Sequence, residues 1–367
     1  MPIAPTDTEQ RLLEYFPADY FSARERFNRL AAARGAQSAS YRIAARGPGD
    51  QALSIDTAYF GAESPRRLLI LSSGVHGAEG FTGSALQQHI ANDLIDMPGG
   101  GSHGGILLVH ALNPYGFAHR RRANESNVDI NRNALTHFPG PANPAYAAFD
   151  AVLNPPAPAA RDARLTARLL WRALRIGPRA ARQAIAGGQY EFPKGLFYGG
   201  AKTEESLGIF KRILRTLARK TVTKVLHIDL HTGLGKYRDY KLFAHLPTAA
   251  PTLAPLRAWC GDRVLATADP GGYAASGLIG SLTRAVYGEA HSITVTLELG
   301  TYPLLRVLST LRNENQLYHY GASAPGLAKK IQNDCLQTFC PRDPRWRLAA
   351  LGHGARVFRR VCDGFFA

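Results

Sequence analysis

The chain has 367 residues, of which 45% are hydrophobic and 20% are charged, and its formal net charge is +16. These values are ordinary for a globular protein with room for one large α/β domain or two smaller ones. The sequence contains no apolar run of the roughly 20 residues that a membrane helix needs, so it predicts no membrane span. Residues 1–27 are polar and lack the apolar segment of a secretion signal, which favours the cytoplasm.

The first third of the chain predicts a strand, helix and strand in succession, and this order is typical of a parallel sheet. The expected elements are a helix over residues 8–34, strands over 39–45, 53–60, 67–73 and 106–112, and a helix over 82–94. The strands at 67–73 and 106–112 are continuous apolar runs, which indicates burial on both faces.

The rest of the chain adds helices and three further strands. Residues 138–160 are rich in proline and alanine and predict a loop. We expect helices over 161–186, 203–220 and 303–334, and strands over 225–230, 240–245 and 292–299. The predicted fold class is α/β, with a mixed, mostly parallel sheet flanked by helices. We expect one catalytic domain over 1–367, with a helical insertion at 138–220.

Much of the positive charge comes from arginines spaced three or four residues apart, namely Arg161, Arg164, Arg168, Arg172, Arg175, Arg179 and Arg182. This spacing predicts one arginine-rich helical face. The face is either a solvated surface or a docking surface for an acidic partner such as nucleic acid or anionic lipid. The sequence has no zinc finger, RNP motif or glycine-rich phosphate loop, so we expect no specific nucleic-acid partner.

A His-x-x-Glu pair, His76 and Glu79, follows the apolar strand at 67–73. Two histidine nitrogens and one carboxylate oxygen are a ligand set of catalytic zinc, which keeps a further position open for water. The second histidine of such a set is His231, which ends the apolar strand near 225–230. His227 is a competing candidate, but it lies in the middle of that strand. Asp229 lies on the same strand face as His231.

Two further blocks predict a polar cleft. Residues 119–133 combine arginines with asparagines, and the planar guanidinium of arginine binds carboxylates through two hydrogen bonds. Glu298 ends the apolar strand near 292–299. Because an unpaired buried carboxylate is costly, Glu298 is expected to face the cleft or to form an ion pair.

Together these blocks resemble the zinc carboxypeptidase family of the carboxypeptidase A type, over about residues 65–302. The order is the same: His-x-x-Glu, Asn-Pro-x-Gly at 113–116, Arg-x-Asn at 122–124, Val-Asp-x-Asn-Arg-Asn at 128–133, a strand-end histidine and a strand-end glutamate. The Asp-Leu-His-Thr run at 229–232 is also similar to the aspartoacylase and succinylglutamate desuccinylase branch. The resemblance implies the zinc carboxypeptidase or phosphorylase/hydrolase-like fold in a bacterial branch.

The resemblance implies one zinc ion per chain, bound by His76, Glu79 and His231. It implies that Asp129 orients His76 through the second ring nitrogen, as partners of zinc-binding histidines generally do.

The same resemblance implies roles for four residues of the cleft. Glu298 would be the general base for a zinc-bound water, and Arg122 would stabilise the oxyanion. Asn131 and Arg132 would bind the terminal carboxylate of the substrate. Arg120 and Arg121 stay open as alternatives to Arg122, although the Arg-x-Asn spacing favours Arg122.

The function that follows is a zinc-dependent hydrolase that cleaves an amide or peptide bond next to a free carboxylate. Its substrate would be a small peptide or, as an alternative, an N-acyl amino acid. A non-catalytic binding protein for an anionic partner is the alternative from another class. The family's catalytic tyrosine could correspond to Tyr198, Tyr273 or Tyr287, and the sequence does not distinguish them.

Overall fold

The computed structural model describes residues 6–95, 104–160, 162–218, 221–244, 252–267, 269 and 274–367. Its strands are β1 (Gln37–Arg46), β2 (Ala52–Gly61), β3 (Arg67–Ser73), β4 (Gly104–His110), β5 (Lys224–Gly233), β6 (Tyr240–Phe243), β7 (Val264–Leu265) and β8 (Ser292–Gly300). Within the described residues they form one sheet in the order β1-β2-β4-β3-β5-β8-β6-β7.

The centre of this sheet is parallel, because β4, β3, β5 and β8 all run in one direction. β2 is antiparallel to β4 at one side, and β6 is antiparallel to β8 at the other. This arrangement confirms the predicted mixed, mostly parallel sheet. The central strands are buried along almost their whole length, which explains why they appear in the sequence as continuous apolar runs.

Helices flank the sheet. They are α1 (Asp7–Leu13), α2 (Tyr20–Ala33), α3 (Gly80–His89), α4 (Pro114–Ala118), α5 (Pro144–Leu153), α6 (Leu165–Ile176), α7 (Pro178–Ala186), α8 (Glu205–Leu217), α9 (Leu253–Cys260), α10 (Gly280–Tyr287), α11 (Leu304–Tyr320), α12 (Leu327–Phe339) and α13 (Pro344–Phe366). In the part of the chain that the structure describes, no helix is long and apolar enough to cross a membrane. The assignment of 1–367 to one domain with an insertion stays a prediction.

The predicted helix over 8–34 is wrong as one element, since α1 and α2 are separate. Pro17 lies between them, and proline both lacks an N–H group and restricts the residue before it. α2 then begins behind Asp19, whose carboxylate accepts a hydrogen bond from the Ser22 N–H.

The predicted helix over 161–186 is likewise two helices. Gly177 adopts a φ of 88° between them, and Pro178 starts α7. Of the six described arginines of the series, Arg164 immediately precedes α6 and the other five are distributed over α6 and α7, whereas Arg161 lies outside the described residues. The loop predicted at 138–160 contains α5, which also begins at a proline.

Near the C-terminus, the helix predicted over 303–334 is α11 and α12, and Gly321 ends α11 with a φ of 76°. The sequence interpretation assigned no element to α13. The predicted strand over 240–245 ends at Phe243, and residue 245 lies outside the described residues, as do 219 and 220 of the helix predicted over 203–220.

The sheet brings the predicted site residues to one edge. β3, β5 and β8 are parallel neighbours, so their carboxyl ends lie side by side, where ligand sites of such sheets occur. His231 on β5 is directly opposite Glu298 on β8, so the two side chains lie on the same face.

Candidate metal centre

The loop after β3 positions His76 and Glu79. It turns at Gly74, whose φ of 64° favours glycine. Gly77 follows, and it packs so closely on Gly116 that a Cβ atom at position 77 would lie 1.9 Å from the Gly116 carbonyl carbon. The backbone then forms a short 3-10 turn over Gly77–Glu79 and enters α3. Both side chains consequently face the carboxyl end of β5.

His76, Glu79 and His231 converge at this point. Each offers one ligand atom, and these atoms all lie within 4.8 Å of one another. His76 Nδ1 is 2.9 Å from Glu79 Oε1, and His231 Nδ1 is 3.1 Å from Glu79 Oε2. All three side chains are buried. This group could hold a metal ion, and it is the group that the sequence predicted.

The second nitrogen of each imidazole faces an aspartate. His76 Nε2 lies 3.0 Å from Asp129 Oδ1, and His231 Nε2 contacts Asp229 Oδ2. Histidine ligands of metals normally have such a carboxylate or carbonyl behind them. The contact between His76 and Asp129 is the one expected from the sequence, and Asp229 contacts the histidine with which the sequence placed it on one strand face.

The charges of this centre fit a cation. Burial opposes ionisation of Glu79, but the charges and hydrogen bonds of His76 and His231 outweigh burial and hold the pKa of Glu79 below its ordinary value. Burial likewise opposes protonation of His231, but Asp229 and Glu79 raise its pKa well above the ordinary value. His231 therefore favours its protonated form, which brings positive charge to a group of carboxylates. A divalent cation between the Nδ1 atoms and Glu79 would supply that charge instead.

Arg122 is the arginine of the 120–122 run that reaches the centre. Its guanidinium lies 3.2 Å from Glu79 Oε1 and 3.0 Å from Asp129 Oδ2. Arg120 donates to Asn333 on α12, and Arg121 donates to Glu314 on α11. Of the three arginines, Arg122 therefore contacts the possible metal centre, whereas the contacts of Arg120 and Arg121 lie elsewhere. The oxyanion role of Arg122 stays a prediction.

Asp129 joins Arg122 to His76. Burial raises the pKa of Asp129, but the positive charges of Arg122 and His76 outweigh burial and hold the pKa well below its ordinary value. Asp129 is consequently ionised, and its negatively charged carboxylate accepts hydrogen bonds from Arg122 and faces His76 Nε2.

Glu298 lies in the cleft, as the sequence predicted. Its Oε1 accepts a hydrogen bond of 2.7 Å from the Leu234 N–H. Burial raises the pKa of Glu298 to about 7, and the negative charge of Glu79 adds to this effect. A carboxylate of this pKa can both take up and release a proton near neutral pH.

Asn131 and Arg132 also line the cleft. The Asn131 side chain accepts from the Ile279 N–H. Arg132 is 2% exposed, and its guanidinium donates to the carbonyls of Asn131 and Ala186. Its Nε atom is buried, and no atom of the described residues accepts a hydrogen bond from it. An anion at this end of the cleft would lie close to the buried positive charge of Arg132.

Other candidates have different surroundings. His227 lies between Ser72 and Thr283, outside the group of possible metal ligands, and burial lowers its pKa to about 4. Tyr287 donates to the Leu214 carbonyl, and neither Tyr287 nor Tyr198 is among the described residues that line the cleft. Tyr273 lies outside the described residues.

The centre opens into a cavity of about 280 Å³. Its polar end is formed by the possible ligands together with Arg122, Asn131, Arg132 and Glu298. Its remaining wall comes from α5, α6, α7, α11 and α12 and is mostly apolar. The predicted helical insertion therefore supplies part of the cavity, together with two C-terminal helices.

A protein family described as "Protein of unknown function (DUF2817)" matches residues 16–353 of this chain. No protein with a curated functional description matches the sequence.

Three solved structures illustrate what the fold is similar to. Carboxypeptidase A from Helicoverpa armigera is 12% identical, with 90% of this chain and 80% of that chain covered and a TM-score of 0.47. Bovine thrombin-activatable fibrinolysis inhibitor is 11% identical, with 88% and 97% covered and a TM-score of 0.48. Succinylglutamate desuccinylase from Chromobacterium violaceum is 14% identical, with 82% and 74% covered and a TM-score of 0.37. Similarity at this level does not indicate an activity.

Proposed function

The chain belongs to the DUF2817 family, whose function is unknown, and we propose that it is a zinc-dependent hydrolase that cleaves an amide or peptide bond next to a free carboxylate. The observation that carries this proposal is the convergence of His76, Glu79 and His231 at the polar end of a cavity. Glu298 and Arg122 lie in the same cavity lining, so a base and a cation accompany the possible ligands.

In this proposal His76, Glu79 and His231 hold one zinc ion per chain. Two nitrogens and a carboxylate leave further coordination positions open, which is the arrangement of catalytic rather than structural zinc. When bound, zinc supplies a Lewis acid that polarises a carbonyl and lowers the pKa of water. Asp129 and Asp229 keep the two imidazoles in position, and Arg122 keeps Asp129 ionised.

Glu298 is the proposed general base. Its carboxylate lines the cavity beside the possible ligands, where it would accept a proton from the attacking water and return that proton to the leaving nitrogen. The Leu234 N–H holds one of its oxygens, so the other oxygen is left for this exchange. Arg122 lines the same cavity beside Glu79, and its guanidinium would stabilise the oxyanion that develops on the carbonyl.

Arg132 and Asn131 are the proposed binding residues for the free carboxylate of the substrate. Arg132 supports this role because its buried guanidinium lines the cavity together with Asn131. This places a carboxylate at one end of the cavity and the bond to be cleaved beside Glu298. A location in the cytoplasm and the absence of a specific nucleic-acid partner stay predictions.

The test is a metal assay combined with a hydrolysis screen on C-terminal peptides and N-acyl amino acids. We expect Glu298→Gln to retain stoichiometric zinc and to lose turnover, because the amide keeps the volume of the carboxylate without its basicity. We expect His231→Ala to lose the metal in elemental analysis. Turnover near the wild-type rate in Glu298→Gln, or full zinc in His231→Ala, would contradict the assigned roles.

The alternative from another class, a binding protein for an anionic partner, has a separate signature. Purified protein of that kind would lack zinc and would bind DNA or acidic lipid with an affinity that falls steeply as salt rises. Zinc-dependent hydrolysis of any substrate in the screen would exclude it.

A further inference from the structure

Beyond its polar end, the cavity wall is mostly apolar: Phe149, Phe197 and Phe339 line it together with a larger number of aliphatic side chains, and Arg182 is a charged exception. Among the aliphatic residues, Leu169 and Ala173 belong to α6, Ile185 to α7, and Leu305 and Leu308 to α11. Leu169 and Leu308 are each 4% exposed, so they belong to the packed interior and give the wall a fixed shape. The wall continues directly into the polar end beside Glu298.

Such a wall discriminates between kinds of substrate. A peptide that extended along it would bring amide groups against aliphatic side chains, and an amide that loses water without gaining a hydrogen-bond partner is disfavoured. An aliphatic chain brings no polar group and gains from leaving water. The wall therefore favours a hydrocarbon over a longer peptide.

The mouth of the cavity is apolar as well. Leu170 on α6 and Leu304 at the start of α11 both line the cavity, and they are 50% and 47% exposed. Leu174, one turn after Leu170, is 79% exposed. Exposed apolar side chains clustered at the rim of a cleft are typical of ligand-binding grooves. A hydrocarbon chain longer than the cavity would emerge from the mouth between these apolar side chains.

We propose that the substrate is a long-chain N-acyl amino acid, whose aliphatic acyl chain lies against α6 and α11. This inference rests on the proposed hydrolase function and names its substrate class. The carboxylate of the amino acid would lie at Arg132, and the amide carbon beside Glu298. Water adds to that carbon, the C–N bond breaks, and a proton from the water passes through Glu298 to the nitrogen. The products are a fatty acid and the free amino acid.

The cavity volume sets the expected chain length. About 280 Å³ corresponds to roughly nine water molecules at ~30 Å³ each, and a methylene group is of similar size. Because the carboxylate and the amide of the ligand occupy part of this volume, an acyl chain of on the order of eight to ten carbons would fill the remainder and reach the apolar rim at Leu170 and Leu304. Each buried methylene contributes ~0.8 kcal/mol, which corresponds to about a fourfold change in kcat/KM.

The experiment uses the zinc-loaded protein and two matched substrate series. In N-acylglycines from acetyl to dodecanoyl, we expect kcat/KM to rise about fourfold per added methylene and to level off near ten carbons. In N-acetyl amino acids from glycine to leucine and phenylalanine, we expect a much smaller change. A flat first series, or a preference determined by the amino acid side chain, would overturn the inference and leave the hydrolase function intact.

Variants of the wall test the location of the chain. Ala173→Phe places a ring in the cavity, so it should abolish the gain from long chains while acetylglycine hydrolysis continues. Ala167→Phe is the matched control, because Ala167 lies on the same helix, is exposed and does not line the cavity. Leu305→Gln on α11 is an independent variant in case Ala173→Phe does not fold. A wild-type chain-length profile in both wall variants would overturn the inference.

A binding measurement tests the assignment of the acyl chain to the cavity separately from the hydrolase function. We expect N-decanoylglycine to bind the Glu298→Gln protein in calorimetry, and N-acetylglycine to bind at least a hundredfold more weakly. Binding of the long chain by a wild-type protein that hydrolyses neither series would support the cavity assignment and contradict the hydrolase. Equal binding of the two ligands would overturn the cavity assignment, whatever the hydrolysis screen shows.

Discussion

Two buried side chains behind His231, those of Ser72 and Asp229, hold its imidazole in one orientation. Ser72 Oγ donates to Asp229 Oδ1 at 2.5 Å, and the other oxygen of Asp229 contacts His231 Nε2. Since the one hydroxyl proton of Ser72 goes to Asp229, its oxygen accepts from His227 Nε2, 2.8 Å away. The neutral His227 ring thus donates to Ser72, Ser72 donates to Asp229, and Asp229 contacts His231, which is the possible metal ligand.

This arrangement predicts that Ser72→Ala weakens metal binding although Ser72 does not contact the metal site. Without the hydroxyl, Asp229 loses a hydrogen bond and His231 a fixed partner, and loss of such support typically costs 10–100-fold in metal affinity. Zinc affinity can be measured by competition with a chelator. Ser73→Ala is the control, because Ser73 is equally buried but donates to Gln87 instead. Equal affinities of Ser72→Ala and wild-type protein would contradict the support role.

Residues of the site that belong to local sequence motifs could be predicted, whereas a residue placed only by strand register could not. His76, Glu79, Glu298 and Arg122 each belong to a short local motif, so their convergence could be predicted. Ser72 is paired with Asp229 by the register of β3 against β5, in which the two residues lie directly opposite. No local pattern encodes that register, and Ser72 was accordingly not predicted.

At the scale of secondary-structure elements, the contact between the loop after β3 and α4 fixes the position of His76 and Glu79. The backbones meet at Gly77 and Gly116 without any side chain between them. The Ala78 N–H also donates to the Arg121 carbonyl at 2.8 Å, which connects the ligand loop to the arginine run. The loop therefore has little freedom to shift independently of α4.

We expect Gly77→Ala to destabilise the protein, because the added methyl group would overlap the Gly116 carbonyl carbon. Overpacking of this kind typically costs about 1–3 kcal/mol in the free energy of unfolding, measurable by urea denaturation. Gly208→Ala is the control, since Gly208 is exposed in α8 and a methyl group added there would meet no atom within 4 Å. Alanine at that position should stabilise the helix by about 0.5–1 kcal/mol. Equal stabilities of Gly77→Ala and wild-type protein would contradict the close contact.

The elements themselves were predictable to different degrees. The central strands were predicted to within a few residues, because burial on both faces makes them continuous apolar runs. The helix breaks at Pro17 and Gly177 were missed, because the periodic pattern continues across them and conceals the local backbone change. α5 was missed because its proline and alanine content is equally typical of a loop.

At the scale of the whole molecule, the positive charge is only partly a free surface. The Arg172 guanidinium donates to the Ala148 carbonyl and lies over the Trp171 ring, with 5.7 Å to the ring centroid. Arg182 lines the cavity at the candidate site. Arg172 thus connects α6 to α5, and Arg182 contributes to the candidate site. Neither a solvated surface nor a docking surface, the two interpretations from the sequence, includes these roles.

Two buried neutral histidines make the stability of the whole fold sensitive to acid. His110 stacks on Phe27 with 4.6 Å between ring centroids, and its Nε2 lies 2.9 Å from Ser84 Oγ. Burial lowers the pKa of His110 to about 4, and burial lowers the pKa of His227 to the same value. In the unfolded chain both would titrate near 6.5.

The sign of the effect follows from proton binding. Between about pH 6.5 and pH 4 the unfolded chain binds protons at these two positions and the folded protein does not, so lowering the pH favours unfolding. Each histidine can remove about 3 kcal/mol over this window, after which its effect levels off. The contribution of these two neutral histidines to the free energy of unfolding is therefore fully present above pH 6.5 and decreases as the pH falls towards 4.

We expect His110→Phe to reduce this pH dependence, because phenylalanine keeps the stacking on Phe27 and cannot bind a proton. The free energy of unfolding, measured by urea denaturation in metal-free buffer at intervals from pH 7 to pH 4, should fall less steeply in the variant, by up to about 1.4 kcal/mol per pH unit. Comparing the variant with its parent cancels the titration of all other groups. His137→Asn, at an exposed position, should keep the parent slope. Parallel curves for His110→Phe and its parent would show that His110 is not held neutral in the folded protein.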